Sequence, residues 1–393
     1  MTTGERAVSI PVMIGGPIER RSAGRGAQGR RSQPSPAPMQ TQISPDWVRI
    51  SGASAIALGF ASGRFTRQFA FGGINLLLNY EDGCRSDCAY CGLARTRPGA
   101  YEDKSFIRVD WPLVETDQLV ERMAACRESL TRLCISMVTS AHAFADTCDI
   151  TRRIRSEVAT PLSILVAPPT LNRRRIEELA SLGVDMIGVG MDAVTEDLFR
   201  RHRTDVPAGG AGLRWEKYWQ VVDDSRQVLG PWKVNCHTVV GLGETDRDLV
   251  ETFVRLRDQE IFSYLFCFNP EPDSRLADLA KSPLRRWRRM QLAKHLVEQE
   301  GFGVEQFEFD DDGALVELAG PHDIVRRAAS SGVVFMTDGC PGESGEPGCT
   351  RPYGSYRPSE PFRDFPFHPT EQDMARIRDE LAVEELCPGV RRA

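Results

Sequence analysis

The sequence predicts an α/β fold in which parallel strands curl into a full or partial (β/α) barrel, followed by a loop-rich C-terminal extension. Three observations predict it. Short apolar runs alternate with stretches of helical spacing from about residue 46 onward, no internal repeat interrupts them, and the pattern loosens after Gly303. Strands separated by helices imply parallel pairing through right-handed crossovers, and such units roll into barrels.

Residues 1–43 precede this pattern and are rich in Gly, Pro, Ser, Gln and Arg, as in Ser22-Ala-Gly-Arg-Gly-Ala-Gln-Gly-Arg-Arg31. A segment with so little apolar content cannot offset its ordering entropy, so a disordered tail is expected. Residues 44–303 read as the barrel core. Its first strand is Ile74-Asn-Leu-Leu-Leu-Asn-Tyr80, which runs into the turn Glu81-Asp-Gly83. Leu119 to Leu130 has helical spacing, and Leu133–Val138 and Leu162–Ala167 are the second and third strands. Thr170 reads as the N-cap of a helix over Arg173–Leu182 that stops at Gly183. Asp185–Met191, Lys233–Val240 and Tyr264–Phe268 supply the fourth, fifth and sixth strands. Helices fall at about Glu196–His202, Trp215–Gln227, Asp246–Gln259 and Leu284–Glu298. Residues 304–393 form the extension, with Met336–Pro369 loop-like and full of Gly, Pro and Ser.

Bulk properties narrow the function classes. The chain has 393 residues, enough for a sizeable core, with 41% hydrophobic and 26% charged residues. No apolar run reaches the length of a membrane span, and Ala7–Ile18 lacks the features of a signal peptide. A net charge of −6 argues against nucleic acid as the partner, because phosphate neutralisation needs a basic face. The 11 cysteines form an odd set. Without an export signal they read as thiols and metal ligands in a reducing cytoplasm.

The strongest motif is Gly83-Cys84-Arg-Ser-Asp-Cys88-Ala-Tyr-Cys91, directly after the first strand, at the mouth where barrels keep their chemistry. Such a spacing arises by chance in about one chain in a hundred. Zinc sites favour paired C-x2-C units, so the alternative of a zinc site with a distant fourth ligand fits less well. Three thiolates in one compact loop can hold a cuboidal four-iron cluster and leave one iron free. That iron can chelate the amino and carboxylate groups of S-adenosylmethionine (SAM) and pass an electron to its sulfonium.

C-x3-C-x-Y-C after the first barrel strand resembles the signature of the radical SAM superfamily. The resemblance implies Cys84, Cys88 and Cys91 as catalytic cluster ligands and Tyr90 close to the adenine of SAM. Val240-Gly-Leu-Gly-Glu-Thr245 is similar to the family's glycine-rich element beside the adenine, which implies Gly241, Gly243 and Glu244; taken alone it reads equally as a tight strand-to-helix turn. Asp192 resembles the ribose-binding carboxylate of biotin synthase or caps the following helix. Arg203 either meets the SAM carboxylate or is solvated.

Further stretches resemble the biotin-synthase-related group that includes the split lipoyl synthases. These include Leu76-Leu-Leu-Asn-Tyr-Glu-Asp-Gly-Cys84, Ser105-Phe-Ile-Arg-Val-Asp-Trp111, Trp215-Glu-Lys-Tyr218, Phe266-Cys-Phe-Asn-Pro-Glu271 and Arg288-Arg-Met-Gln-Leu-Ala293. That group inserts sulfur into carbon skeletons and consumes a second iron–sulfur cluster as donor. The resemblance therefore implies auxiliary ligands, with candidates Cys340 and Cys349 in Asp338-Gly-Cys340-Pro-Gly-Glu-Ser-Gly-Glu-Pro-Gly-Cys349-Thr-Arg-Pro-Tyr353. Eight residues separate the pair, where the group has a tighter spacing. Cys134 lies on the second strand much as a cluster cysteine does in biotin synthase, or is simply a small buried hydrophobe. Biotin synthase's other strand cysteine falls at Asn235, so Cys236 faces the opposite side. Ser355 resembles a ligand of single-chain lipoyl synthases or is an exposed loop serine. Cys267 is a further candidate ligand or a core residue, and Cys126, Cys148 and Cys387 have no supporting context. His237 is a substrate contact, a proton donor or a hydrogen-bonded structural histidine. Arg285, Arg286, Arg288 and Arg289 around Trp287 read as a solvated face or a docking patch.

The expected activity is radical SAM sulfur insertion or exchange on a small molecule, with flavodoxin or ferredoxin as electron donor and no membrane. The alternatives are a radical SAM lyase, epimerase or dehydrogenase, a tRNA-modifying enzyme, and a non-catalytic iron–sulfur or zinc scaffold.

Overall fold

The computed structural model describes residues 41–104, 109–204 and 212–387. The expected tail over 1–43 therefore lies almost wholly outside the described residues. The principal sheet has eight strands in the order β3-β1-β2-β4-β5-β6-β7-β8. Its six parallel members are β2 (Gly73–Leu78), β4 (Arg132–Ser136), β5 (Leu162–Val166), β6 (Met186–Asp192), β7 (Val234–Val240) and β8 (Phe262–Cys267). These match the six strands expected from sequence within one or two residues. β1 (Trp47–Ile50) and β3 (Leu113–Glu115) add to one edge as antiparallel strands. Both are short, and neither stands out in the sequence. Among the described strands β3 and β8 remain edges, so the barrel is partial.

Helices fill the crossovers: α2 (Thr116–Ala125), α3 (Ala143–Glu157), α4 (Arg173–Ser181), α5 (Glu196–Phe199), α6 (Trp215–Leu229), α7 (Asp246–Asp258) and α8 (Leu284–Glu300), after α1 (Gly52–Ala57) near the start. α3 escapes a sequence reading because its buried face carries Thr147, Cys148 and Thr151 beside Ile150 and Ile154, which blurs the apolar stripe. α4 is capped by Asn172, whose side chain accepts from the Arg175 amide, and not by Thr170, which ends a preceding turn.

Alternation sorts the strand residues. Leu133, Ile135, Ile164, Ile187, Val189, Val234 and Cys236 sit in the cluster shared with the helices. Their neighbours Cys134, Ser136, Ser163, Gly188, Asn235 and His237 therefore face the barrel interior.

The extension has more order than its sequence suggests: a hairpin of β9 (Phe307–Phe309) and β10 (Leu315–Leu318), then α9 (His322–Ala329), α10 (Glu371–Leu381) and α11 (Val383–Leu386). It has no core of its own, since Phe335, Phe365, Ile377 and Leu386 join Val240, Phe253, Leu265 and Trp287 in one buried cluster. The extension and α8 together protect the open edge. On β8 the amides of Ser263, Leu265 and Cys267 donate to Glu298 Oε1 (2.6 Å), Asp338 Oδ2 (2.8 Å) and Ser355 Oγ (3.2 Å). Lys294 Nζ bridges Asp338 (2.7 Å) and Glu298 (3.2 Å), so the two carboxylates are compensated. Three side chains thus occupy the donors that another strand would otherwise pair with.

Only Arg285 of the arginine run on α8 is exposed, paired with the equally exposed Glu385 (2.8 Å). Arg288 is fully buried and pairs with Glu380 (2.7 Å), Arg286 pairs with Asp246 (2.7 Å) and Glu244 (3.0 Å), and Arg289 pairs with Glu385 (2.7 Å). Arg288 and Arg289 hold the extension to the barrel, while Arg286 braces the turn into α7.

A second tie joins Arg67 to the buried Asp373, which also accepts from the Thr370 amide (2.9 Å) and hydroxyl (2.7 Å) to cap α10. The Arg67 hydrogen bond holds the Asp373 carboxyl well below the usual range. Its contribution is therefore present above the unfolded carboxyl pKa and fades as pH falls below about 4. Asp373→Ala should cost about 2–4 kcal/mol at neutral pH. In denaturant melts the gap from wild type should narrow on acidification. A pH-independent gap would show that the ion pair contributes nothing.

Candidate functional site

The cysteine loop leaves β2 through Gly83, whose φ of +63° and close approach to the Tyr101 ring exclude a side chain there. Its path is held by bonds that do not involve the thiols. Arg85 N donates to Thr139 O (2.9 Å), the Ser86 hydroxyl to Thr139 Oγ1 (2.7 Å), and Ala89 N to His202 O (2.8 Å). The buried Asp87 accepts from Thr96 (2.9 and 2.7 Å) and from Arg275 (3.4 Å), and Arg97 donates to Gly92 O (2.7 Å) and Pro272 O (2.8 Å). A loop fixed this way presents its three thiols from a rigid frame.

Burial raises the Cys88 thiol above its ordinary value, opposed by the adjacent Arg203 guanidinium. Burial, then the neighbouring Cys88 and Cys84, push Cys91 well up. Iron coordination would deprotonate these thiols outright, as a bound cation inverts the local preference. Among the described residues no three His, Cys, Asp or Glu side chains close around a single ion. A cuboidal cluster sets its thiolates at separate corners and does not need that convergence.

Beside the loop, Tyr90, Asp192 and Arg203 come together. The Tyr90 hydroxyl donates to Asp192 Oδ2 at 2.5 Å, and Arg203 Nη1 stands 3.5 Å from the same oxygen. Asp192 closes β6 after a register shift, in the left-handed conformation (φ +61°) that Asp tolerates better than most residues. It does not cap α5; Thr195 does, accepting from Leu198 N at 3.3 Å. Nor is Arg203 solvated. It is 6% exposed, donates to the carbonyls of Gly190 and Met191 and to the Tyr218 hydroxyl (2.9 Å), and lies 4.9 and 4.6 Å from the Phe199 and Tyr218 ring centres. Its Nε is buried without a partner, a donor free for a polar ligand.

Gly241 and Gly243 both have φ near the values only glycine adopts freely, +113° and +114°. The Glu244 carboxylate accepts from the Gly241 and Leu242 amides (2.8 Å each) and pairs with Arg286. Glu244 therefore shapes its own turn, and what it offers a neighbouring ligand is a fixed backbone.

A second group occupies the other end of the barrel interior. Cys349 N donates to Cys340 O (3.0 Å), so the two cysteines are neighbours despite the loop between them. That loop is pinned beneath β2 and β4, where the Thr131 hydroxyl donates to Gly348 O (2.6 Å) and Arg132 Nη1 to Pro341 O (2.9 Å). Cys134, on the inner face of β4, lies close enough for its charge to bear on both. Burial raises Cys340, and pushes Cys349 up to about 12. Two asparagines, neither singled out as a site residue in the sequence, flank the thiols: Asn235 Nδ2 is 3.5 Å from Cys340 Sγ, and Asn75 Oδ1 is 3.7 Å from Cys349 Sγ. An Asn in the apolar run of β2 is the one signal that could have marked Asn75. Asn75 stands three residues before the end of β2, so this group lies roughly 10 Å below the mouth.

Cys236, Cys267 and Ser355 are placed apart from both groups, whereas His237 is close enough to feel Asp192. Cys236 and Cys267 are buried among core residues, and Cys267 accepts from Arg363 Nη1 (3.3 Å). Ser355 is fully buried at the β8 edge, not exposed in a loop. His237 faces the interior, 4.9 Å from the Phe266 ring centre. Burial pushes it down to about 4, so at neutral pH it is an uncharged hydrogen-bonding group rather than a proton donor. Among the described residues no helix is long and apolar enough to cross a membrane.

Residues 78–256 match the Radical SAM superfamily family model. This stretch is a radical SAM domain, and that family implies a four-iron cluster and SAM. No curated protein sequence matches the chain. Similar solved structures include methylornithine synthase (PylB), 10% identical with a TM-score of 0.43, covering 86% of this chain and 88% of that one. Another is the hydrogenase maturase HydG from Carboxydothermus hydrogenoformans, 14% identical, TM-score 0.43, covering 85% and 74%. A further HydG structure is 11% identical at a TM-score of 0.42, and the chain spans 50% of its length while 58% of this chain is matched. None of the three is named as a biotin or lipoyl synthase.

Proposed function

We propose that this radical SAM enzyme holds its four-iron cluster on Cys84, Cys88 and Cys91 and uses it to insert or exchange sulfur on a small molecule. The sulfur would come from a second iron–sulfur cluster on Cys134, Cys340 and Cys349. When bound, the first cluster and SAM supply a carbon-centred radical able to abstract hydrogen from an unactivated position. The protein's part is to orient and enclose. Tyr90, Asp192 and Arg203 form a polar corner for SAM beside the loop, and the glycine turn at Gly241–Gly243 offers backbone without side-chain bulk.

The observation that supports the sulfur reading is the second cysteine group. Its members are remote in sequence, share the interior with the first group and are flanked by amides able to orient cluster ligands. A donor cluster there would face a substrate held between the two ends. Flavodoxin or ferredoxin would deliver the electron.

Iron and sulfide counts test this directly. After anaerobic reconstitution, a variant with Cys84, Cys88 and Cys91 all changed to Ala should keep roughly half the wild-type iron and its charge-transfer absorption. Changing Cys134, Cys340 and Cys349 as well should remove the rest. A triple variant devoid of iron would mean one cluster only, and would favour lyase, epimerase or dehydrogenase chemistry.

A further inference from the structure

We propose that Arg351 is the anchor for a substrate carboxylate, so that the molecule this barrel acts on is a monoanion with an apolar body. The inference rests on the reading of the barrel as a reaction chamber and adds the chemical class of what enters it.

Arg351 follows Cys349 closely in sequence, and its charge is felt by Cys349, by His237 inside the barrel and by the buried Asp364. It is half-buried, yet among the described residues its guanidinium has no hydrogen bond, ion pair or ring partner. The chain treats its other sheltered arginines differently. Arg132 pairs with Asp185 (2.7 Å), Arg288 with Glu380 (2.7 Å), and Arg286 with two carboxylates. A sheltered guanidinium with no hydrogen-bonded anion is an incomplete pair, since Asp364 acts on it only at a distance.

Arg351 lines a shallow, solvent-open cleft together with Ala53, Val109, Trp111, Pro352 and Tyr353. Ser51 also lines it, but its hydroxyl already caps α1 through Ser54. The walls are thus aliphatic and aromatic around one fork of donors, the usual makeup of a site for a small organic anion. Tyr353 is held in the left-handed region (φ +64°), uncommon for a bulky side chain. A single guanidinium, with Asp364 and Cys349 nearby, suits a planar monoanion that takes two parallel bonds. A phosphate dianion would need further cations.

Calorimetry and saturation-transfer NMR on the full reconstituted chain would test this with hexanoate, hexanol and inorganic phosphate as probes. Wild type should prefer hexanoate to hexanol by at least about tenfold. Arg351→Gln should erase that preference and leave hexanol binding unchanged. Should Arg351→Gln fail to fold, Arg351→Lys carries the test: the preference should shrink severalfold, because a point charge cannot form the fork. Equal preference in wild type and either variant would overturn the proposal, as would binding of phosphate in place of hexanoate. The assay needs no turnover, so a failed sulfur-insertion reading would leave it untouched. A failed carboxylate site would leave SAM cleavage intact.

Discussion

SAM cleavage should fall by at least about a thousandfold when Cys84, Cys88 and Cys91 are replaced together by Ala, because no thiolates then hold a cluster beside the Tyr90, Asp192 and Arg203 corner. The fold should survive. The loop is tied to Thr139, His202, Arg275 and Pro272 by bonds that involve no thiol, so apoprotein melting should shift little. This separates loss of chemistry from loss of structure, which is the usual ambiguity of a triple substitution. Chromatographic counting of 5′-deoxyadenosine and methionine from the dithionite-reduced protein gives the measurement. Undiminished cleavage in the variant would end the assignment of these three residues.

Cys340→Ala should split the reaction into halves. Its thiol sits at the far end of the barrel from the Cys84 loop, buried between Tyr264 and Asn235, so removing it leaves the SAM corner untouched. Cleavage of SAM should continue at close to the wild-type rate, and sulfur-bearing product should disappear. The wild-type enzyme, consuming part of a cluster as reagent, should stop near one turnover unless sulfide is resupplied. Reconstitution with sulfur-34 makes the origin of the atom visible by mass spectrometry. Label in the product supports donation from a cluster. Many turnovers to a sulfur-free product would instead reassign the branch of radical chemistry while leaving the first prediction intact.

Much of the site is local in sequence, and that part was readable without coordinates. The x3, x2 cysteine spacing and the glycine turn at Gly241 and Gly243 are sequence objects, because a compact loop brings its own residues together. The six parallel strands were legible for a similar reason: each is a short apolar run bounded by turn residues. Ambiguities arose where one residue type serves two roles. Asp192 and Thr195 both stand near the start of α5, and only the backbone shows that Thr195 caps it while Asp192 meets Tyr90 and Arg203. The arginines of α8 looked solvated because their partners, Glu380 and Glu385, lie on a distant part of the chain.

By itself, the sequence determined the six parallel strands, the cysteine loop and the family to which its central domain belongs, since each is written in short-range spacing. The tertiary structure decided what depends on contacts between remote segments. It brought Cys340 and Cys349 beneath β2 and β4 opposite Cys134, sealed the β8 edge with Glu298, Asp338 and Ser355, and left the Arg351 guanidinium without a hydrogen-bonded partner among the described residues, beside Trp111 and Tyr353. The physical reason is that periodicity reports which face of an element is buried but not what covers it. In an extension rich in Gly and Pro there is little periodicity to read, and position there is set by hydrogen bonds and ion pairs whose partners lie far away along the chain.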